Sequence, residues 1–296
     1  MALYSIKDLE RITGVKAHTI RIWEKRYGIV EPARSESNIR LYCDMELKKL
    51  MNISILLRNG YKISKVAEYN QDELARKVME VTMVSTNGHD SQIESLAVAM
   101  IEMDEARFEK LLNMAILKEG FENCVYKVLY PFFERVGVLW QAGSINPAHE
   151  HFITNLVKQK IYVAIDSIPV PTGPEVKKFL LFLPEWELHE LGLLVYDYMI
   201  KSQGFKVIYL GQNVPEDDVY AVSDFIDPDY FLTAFSNSVA KEKLESYIQR
   251  LAERFPKKKF FITGHQIANI TNPLAKNVQV VKSAVQFSND ILKKLN

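Results

Sequence analysis

The sequence predicts a multidomain α + α/β protein: an N-terminal winged helix-turn-helix, a four-helix bundle and a flavodoxin-like (Rossmann-type) parallel α/β sheet. Three observations carry this: two short helical patterns split by a glycine near the start, four longer helical periods in the middle, and strands alternating with helices to the end. The expected domains are residues 1–80, 91–170 and 176–296. A chain of 296 residues with 48% hydrophobic content is long enough for more than one packed core.

In the first domain Ser5 is a plausible N-cap for a helix through Ile12, Gly14 breaks it, and Lys16-Ala17-His18-Thr19 opens a second helix to about Tyr27. On that second helix Ile20, Trp23 and Tyr27 face inward, while Thr19, Arg21, Lys25 and Arg26 share the outward arc. Thr19 and Arg21, at its N-terminal end, suit base edges and phosphates in a major groove. The alternating segment Gly28 to Tyr42 reads as a two-stranded wing, with Arg34, Asn38, Arg40 and Tyr42 reaching the flanking backbone. Helices Asp44 to Asn59 and Ile63 to about Tyr69 complete the module, and Val81 to Asp90 reads as a polar linker.

Charge placement agrees with this reading. The chain is formally neutral, yet residues 11–65 hold twelve Lys and Arg against five Asp and Glu, a net +7. A basic first segment on an otherwise acidic chain points to nucleic acid as a partner, with double-stranded promoter DNA the expected form. No uninterrupted apolar window suits a membrane span, and the start lacks a signal-peptide pattern, so the expectation is a cytoplasmic protein with no membrane partner. The two cysteines, Cys43 and Cys124, fall in different modules and are read as small core residues rather than a disulfide.

The middle domain is read as helices Gln92 to Met103, Glu105 to Lys118, Glu122 to Trp140 and Pro147 to Ser167, with Asn146-Pro147 as N-cap and first-turn proline. Short connections favour an antiparallel bundle. Trp140 is followed ten residues on by Glu150-His151. His149 and His151, two apart on a helix, point to different faces and do not make a metal pair.

The last domain is read as strands Phe179–Leu183, Lys206–Leu210, Tyr230–Phe235, Phe260–Thr263 and Val278–Val281, with helices at about 190–203, 216–224, 239–254, 266–271 and 283–294. In such a sheet the loops after the first, third and fourth strands meet at the ligand-binding edge. They carry Glu187, His189 and Gly192, then Ser236 and Ser238, then Gly264-His265-Gln266. Glu187 lies two residues before His189, so its carboxylate can take the ring N–H and leave the other nitrogen as a basic metal ligand. Gly192 leaves room for a bulky group beside the first helical turn. There is no Walker A sequence and no glycine-rich dinucleotide loop.

Two resemblances follow from these residues. Gly14-Val15, Thr19-Ile20-Arg21, Trp23-Glu24, Arg26-Tyr27-Gly28, Pro32, Arg34 and Arg40-Leu41-Tyr42 resemble the signature of the mercury-resistance-regulator (MerR) family of winged-helix transcription regulators. The loops of the last domain resemble a cobalamin-binding domain, and the bundle with its Trp140…Glu150-His151 spacing is similar to the cap of the cobalamin-dependent light-sensing repressors in that family. The likeness implies a non-enzymatic regulator that binds DNA as a homo-oligomer, dimer or tetramer, under control of adenosylcobalamin or methylcobalamin, with a light response and a protein antirepressor as further expectations. It makes His189 the lower cobalt ligand with Glu187 behind it, places Ser236, Ser238 and Gly264 along the nucleotide-tail channel, and sets Trp140, Glu150 and His151 at the upper face. Two departures stand out: Gln141 replaces the histidine that follows the Trp in the light sensors, and His265 replaces the second glycine of a Gly-Gly pair. These leave a second reading open, a DNA-binding regulator with a vestigial cobalamin pocket that works through a protein partner. A corrinoid methyl-transfer enzyme is disfavoured by the winged helix and by the lack of a separate catalytic domain.

Overall fold

The computed structural model describes residues 3–34, 38–84, 89–141, 145–237 and 239–295. The chain divides into two compact units, Met1–Leu156 and Val157–Asn296.

In the first unit, β1 (Leu3–Tyr4) leads into α1 (Ile6–Thr13), whose start is closed by a reciprocal capping box. Ser5 Oγ accepts from the Asp8 amide at 3.3 Å, and Asp8 Oδ2 accepts from the Ser5 amide at 2.9 Å. Gly14 ends α1 in the left-handed region at φ 72°. The next helix, α2 (Ala17–Tyr27), is held at its first amide by the Glu10 carboxylate, 3.1 Å from Ala17 N. Ile20 and Trp23 are buried, as its periodicity requires, while Tyr27 is only half-buried.

Two further strands, β2 (Ala33–Arg34) and β3 (Arg40–Cys43), form an antiparallel sheet with β1 in the order β1-β3-β2. The wing therefore has a third strand that the sequence pattern did not show. Next come α3 (Asp44–Arg58), which buries Leu47, Leu50, Met51, Ile53, Ile55 and Leu56, the short α4 (Ile63–Val66), and α5 (Gln71–Val84). The expected linker beginning at Val81 is thus helical as far as Val84, and residues 85–88 lie outside the described residues.

The bundle helices are α6 (Asp90–Ile101), α7 (Glu105–Glu119), α8 (Phe121–Cys124), α9 (Tyr130–Gln141) and α10 (Pro147–Asp166). The single helix expected over 122–140 is continuous but carries a π-helical stretch at Val125–Leu129 between α8 and α9. Asn146 accepts from the Ala148 amide at 3.0 Å and so caps α10. Cys124 is fully buried, which pushes its thiol up to about 12, and Cys43 is half-buried; both are free thiols.

The second unit is a five-stranded parallel sheet of β4 (Lys178–Pro184), β5 (Lys206–Val214), β6 (Tyr230–Ala234), β7 (Lys259–Thr263) and β8 (Val278–Val280). Its order, β5-β4-β6-β7-β8, is the flavodoxin-like one. Phe179 to Pro184 are all buried, because a central parallel strand is covered on both faces. Phe231 and Phe260 stack at 4.4 Å between ring centroids on the neighbouring strands. Helices α11 (Glu190–Ser202), α12 (Glu216–Ile226) and α13 (Lys241–Arg254) connect the strands, and a 3-10 turn at His265–Asn269 stands where a helix was expected. The C-terminal helix is α14 (Ala284–Gln286), a π-helical stretch at Phe287–Leu292, and α15 (Lys293–Leu295). Among the described residues no helix is long and apolar enough to cross a membrane.

Candidate functional site

At the C-terminal edge of the sheet, Glu187 ties two loops together. Its Oε2 accepts from the backbone amides of Ser236 at 2.5 Å and Asn237 at 2.7 Å; its Oε1 accepts from the His189 amide at 3.0 Å and lies 2.7 Å from His189 Nδ1. The side chain is fully buried. Burial, the largest influence, pushes its carboxyl upward, but the bonds from Asn237, His189 and Ser236 together outweigh it and hold the group below the ordinary glutamate value. The carboxylate therefore stays charged and fixes the imidazole through Nδ1, while the His189 side chain remains 58% exposed. What results is one oriented imidazole with Nε2 as its remaining donor nitrogen, in the pattern of a carboxylate-backed metal ligand.

The third loop closes on the same place through Gly264. At φ 107°, its backbone runs so close to Phe235 that an added Cβ would lie 2.2 Å from the Phe235 carbonyl oxygen. Gln266 N donates to that carbonyl at 3.0 Å, and Phe235 N donates to Thr263 O at 2.8 Å. Gly192, by contrast, is exposed, and an added Cβ would meet nothing within 4 Å. Ser236 is half-buried, and Ser238 lies outside the described residues. The loops after β4, β6 and β7 are thus brought together as their topology requires. His265 is exposed at the start of its 3-10 turn.

Several groups at this edge gave no sequence signal. Asn237 binds Glu187 through its amide and the Trp186 carbonyl through Nδ2 at 2.7 Å. Glu190 accepts from Lys158 Nζ at 2.8 Å and Tyr209 Oη at 3.0 Å, pinning the first turn of α11. These are long-range contacts, which no local spacing announces.

In the first unit Trp140 is 45% exposed on α9, Glu150 is half-buried and His151 exposed on α10. His149 is committed to the helix start, its Nδ1 being 3.0 Å from Asn146 Oδ1. The Gln141 side chain is not among those described.

On the helix-turn-helix, Arg21, Lys25 and Arg26 are exposed and Thr19 half-buried, all on one face of α2. In the wing, Arg34 donates to Asn38 Oδ1 at 2.5 Å, both residues being exposed. Arg40 is half-buried and its Nε makes two bonds to Glu24 on α2, at 3.0 and 3.2 Å. Tyr42 requires a correction. It is fully buried, with no hydrogen-bond partner for its hydroxyl, and cannot reach a DNA backbone from this position. Alternation places it on the face of Arg40, but β3 changes partner along its length: Arg40 pairs with Arg34 of the wing, whereas Tyr42 pairs with Tyr4 of β1 and turns into the core.

Residues 4–73 match the model of the MerR HTH family regulatory protein, and residues 92–165 match that of the B12 binding domain. The chain joins a MerR-type DNA-binding domain to a B12-binding domain. The chain is homologous to two repressors of Myxococcus xanthus. It is 26% identical to HTH-type transcriptional repressor CarH over 264 residues, 86% of each chain. It is 28% identical to HTH-type transcriptional repressor CarA over 247 residues, 82% of this chain and 80% of CarA. Among solved structures, the Methanosarcina barkeri monomethylamine corrinoid protein aligns with a TM-score of 0.55 at 16% identity, over 70% of this chain and the whole of that one, a likeness of fold alone. The B12 domain match falls on the helices α6 to α10, and the sheet shares with the corrinoid protein a likeness of fold.

Proposed function

We propose that the chain is a DNA-binding transcription regulator whose hold on promoter DNA, or whose assembly, is set by a cobalamin held at His189. The observation that carries this is the buried Glu187 carboxylate, which fixes a single exposed imidazole at the ligand edge of a corrinoid-type sheet. The residues fit the group. An imidazole backed by a carboxylate would be a suitable ligand for cobalt, and the space beside Gly192 is open. When bound, adenosylcobalamin or methylcobalamin supplies a bulky ligand with a light-sensitive upper cobalt–carbon bond. By the resemblance of the sequence, Ser236 and Gly264 would border its nucleotide tail, and Trp140, Glu150 and His151 would belong to its upper side.

On the DNA side, Thr19, Arg21, Lys25 and Arg26 would enter the major groove, with Arg34 and Asn38 on the backbone. Arg40 holds the wing against α2 through Glu24, orienting these groups. The two homologous repressors support a regulator rather than an enzyme; a homo-oligomer and a protein antirepressor are proposed from the family resemblance of the sequence alone. Cobalamin can shift DNA binding only by its differential affinity for the DNA-bound and free states. A His189→Ala variant tests this: it should lose cobalamin and, with it, the change in promoter binding that cobalamin causes in the wild type. Unchanged DNA regulation in the variant would favour a vestigial pocket.

A further inference from the structure

The last carbonyls of α1 have no partners within their own helix and sit at the turn that joins the two halves of the helix-turn-helix. Thr13 O is satisfied inside the DNA-binding module, accepting from Ser54 Oγ and from Arg58 Nη2, each at 3.1 Å. Ile12 O is satisfied from elsewhere, by Arg135 Nη2 on the bundle helix α9. The same guanidinium is paired within the bundle to Glu94 on α6, with Nε 2.9 Å from Oε1 and Nη2 3.1 Å from Oε2. The two side chains are only 12% and 14% exposed. A second bond crosses nearby, from Asn59 Nδ2 to Ser91 Oγ at 3.0 Å.

We infer that Arg135 couples the B12-binding helical domain to the helix-turn-helix. The guanidinium rests at the negative end of the α1 dipole while its counter-ion belongs to the bundle, so a shift of α6 against α9 either drags the α1–α2 turn or breaks the bridge. Breaking it strands a largely buried charge, which makes the joint two-state rather than freely sliding. The joint is well placed at both ends. Trp140 lies five residues further along α9, and Gly14 and the first turn of α2 follow Ile12 directly. Arg21, Lys25 and Arg26 remain exposed in this docked arrangement, so the bridge leaves the DNA-reading face open.

This inference rests on the reading that cobalamin controls DNA binding, and the test separates the two. Full-length wild type and Arg135→Met are compared for promoter affinity with and without adenosylcobalamin at fixed salt, and for amide exchange over residues 9–20. A coupled wild type should change affinity by about fivefold or more with cofactor, whereas Arg135→Met should bind cobalamin yet change by less than about twofold. Amide exchange at the end of α1 should rise about tenfold in the variant without cofactor present. A variant that keeps the wild-type cobalamin response, or leaves that exchange unchanged, overturns the coupling role. If the wild type itself ignores cobalamin, the functional reading falls and exchange alone decides the bridge. If Arg135→Met does not fold, Arg135→Lys, which keeps the charge but not the fork, is judged by the same two measurements.

Discussion

Glu187→Gln keeps the shape of the side chain but replaces one of its two oxygens by an amide NH2, a donor. In the wild type each oxygen serves two donors: His189 N and Nδ1 on one, Ser236 N and Asn237 N on the other. Turned one way the carboxamide N–H faces the amides of Ser236 and Asn237; turned the other it faces the His189 amide, while Nδ1 can accept from it only with the ring proton moved to Nε2. A buried donor left unsatisfied costs about 1–3 kcal/mol, so with at least one stranded the second unit should lose on the order of 1–3 kcal/mol. The loss should also depend on pH. Because the folded carboxyl is held below 4.5, its contribution is complete above the unfolded value and disappears as pH falls through the lower folded one. Urea unfolding followed by Trp fluorescence, from neutral pH to about pH 3, should show the gap between wild type and variant closing in acid. Equal stability at neutral pH, or a gap that widens as pH falls, would refute the argument that the carboxylate knots the two loops.

Gly264→Ala should destabilise the second unit by at least about 2 kcal/mol in thermal unfolding, because a Cβ meets the Phe235 carbonyl and the backbone lies at positive φ. Tyr42→Phe should be neutral or slightly stabilising and leave promoter affinity unchanged, since it removes only a buried hydroxyl that has no partner. Arg21→Ala, in contrast, should weaken promoter binding and reduce the slope of log affinity against log salt by about 1, measured over a salt series. A maleimide at pH 8 should label Cys43 in the folded chain and spare Cys124, whose thiol is pushed up to about 12 by burial; mass spectrometry of the digested protein reads this directly.

The parts of the fold legible in the sequence were those set by local rules. Ser5 announces the N-cap of the first helix, Gly14 the turn, and the unbroken apolar run from Phe179 to Leu183 a strand. The Glu187–His189 pair was legible for the same reason, since its two members are two residues apart. What escaped depends on distant partners. The two-residue strand β1 is too short for periodicity, and missing it led to Tyr42 being placed on the surface when its pairing with Tyr4 buries it. The register shift in β5, where Gly211 adopts φ 81°, carried that strand to Val214, beyond the expected end at Leu210. The Arg135 bridge to Ile12 spans 123 residues, and no spacing rule reaches so far.

The most direct test of the account is the visible absorption spectrum of purified protein mixed with adenosylcobalamin in the dark and desalted, for wild type and His189→Ala side by side. The account predicts that the wild type keeps the colour with the dimethylbenzimidazole displaced and an imidazole on cobalt, and that His189→Ala loses the cofactor or shows no imidazole ligation. A wild type that elutes colourless, or two identical spectra, would contradict the assignment of His189 as the cobalt ligand.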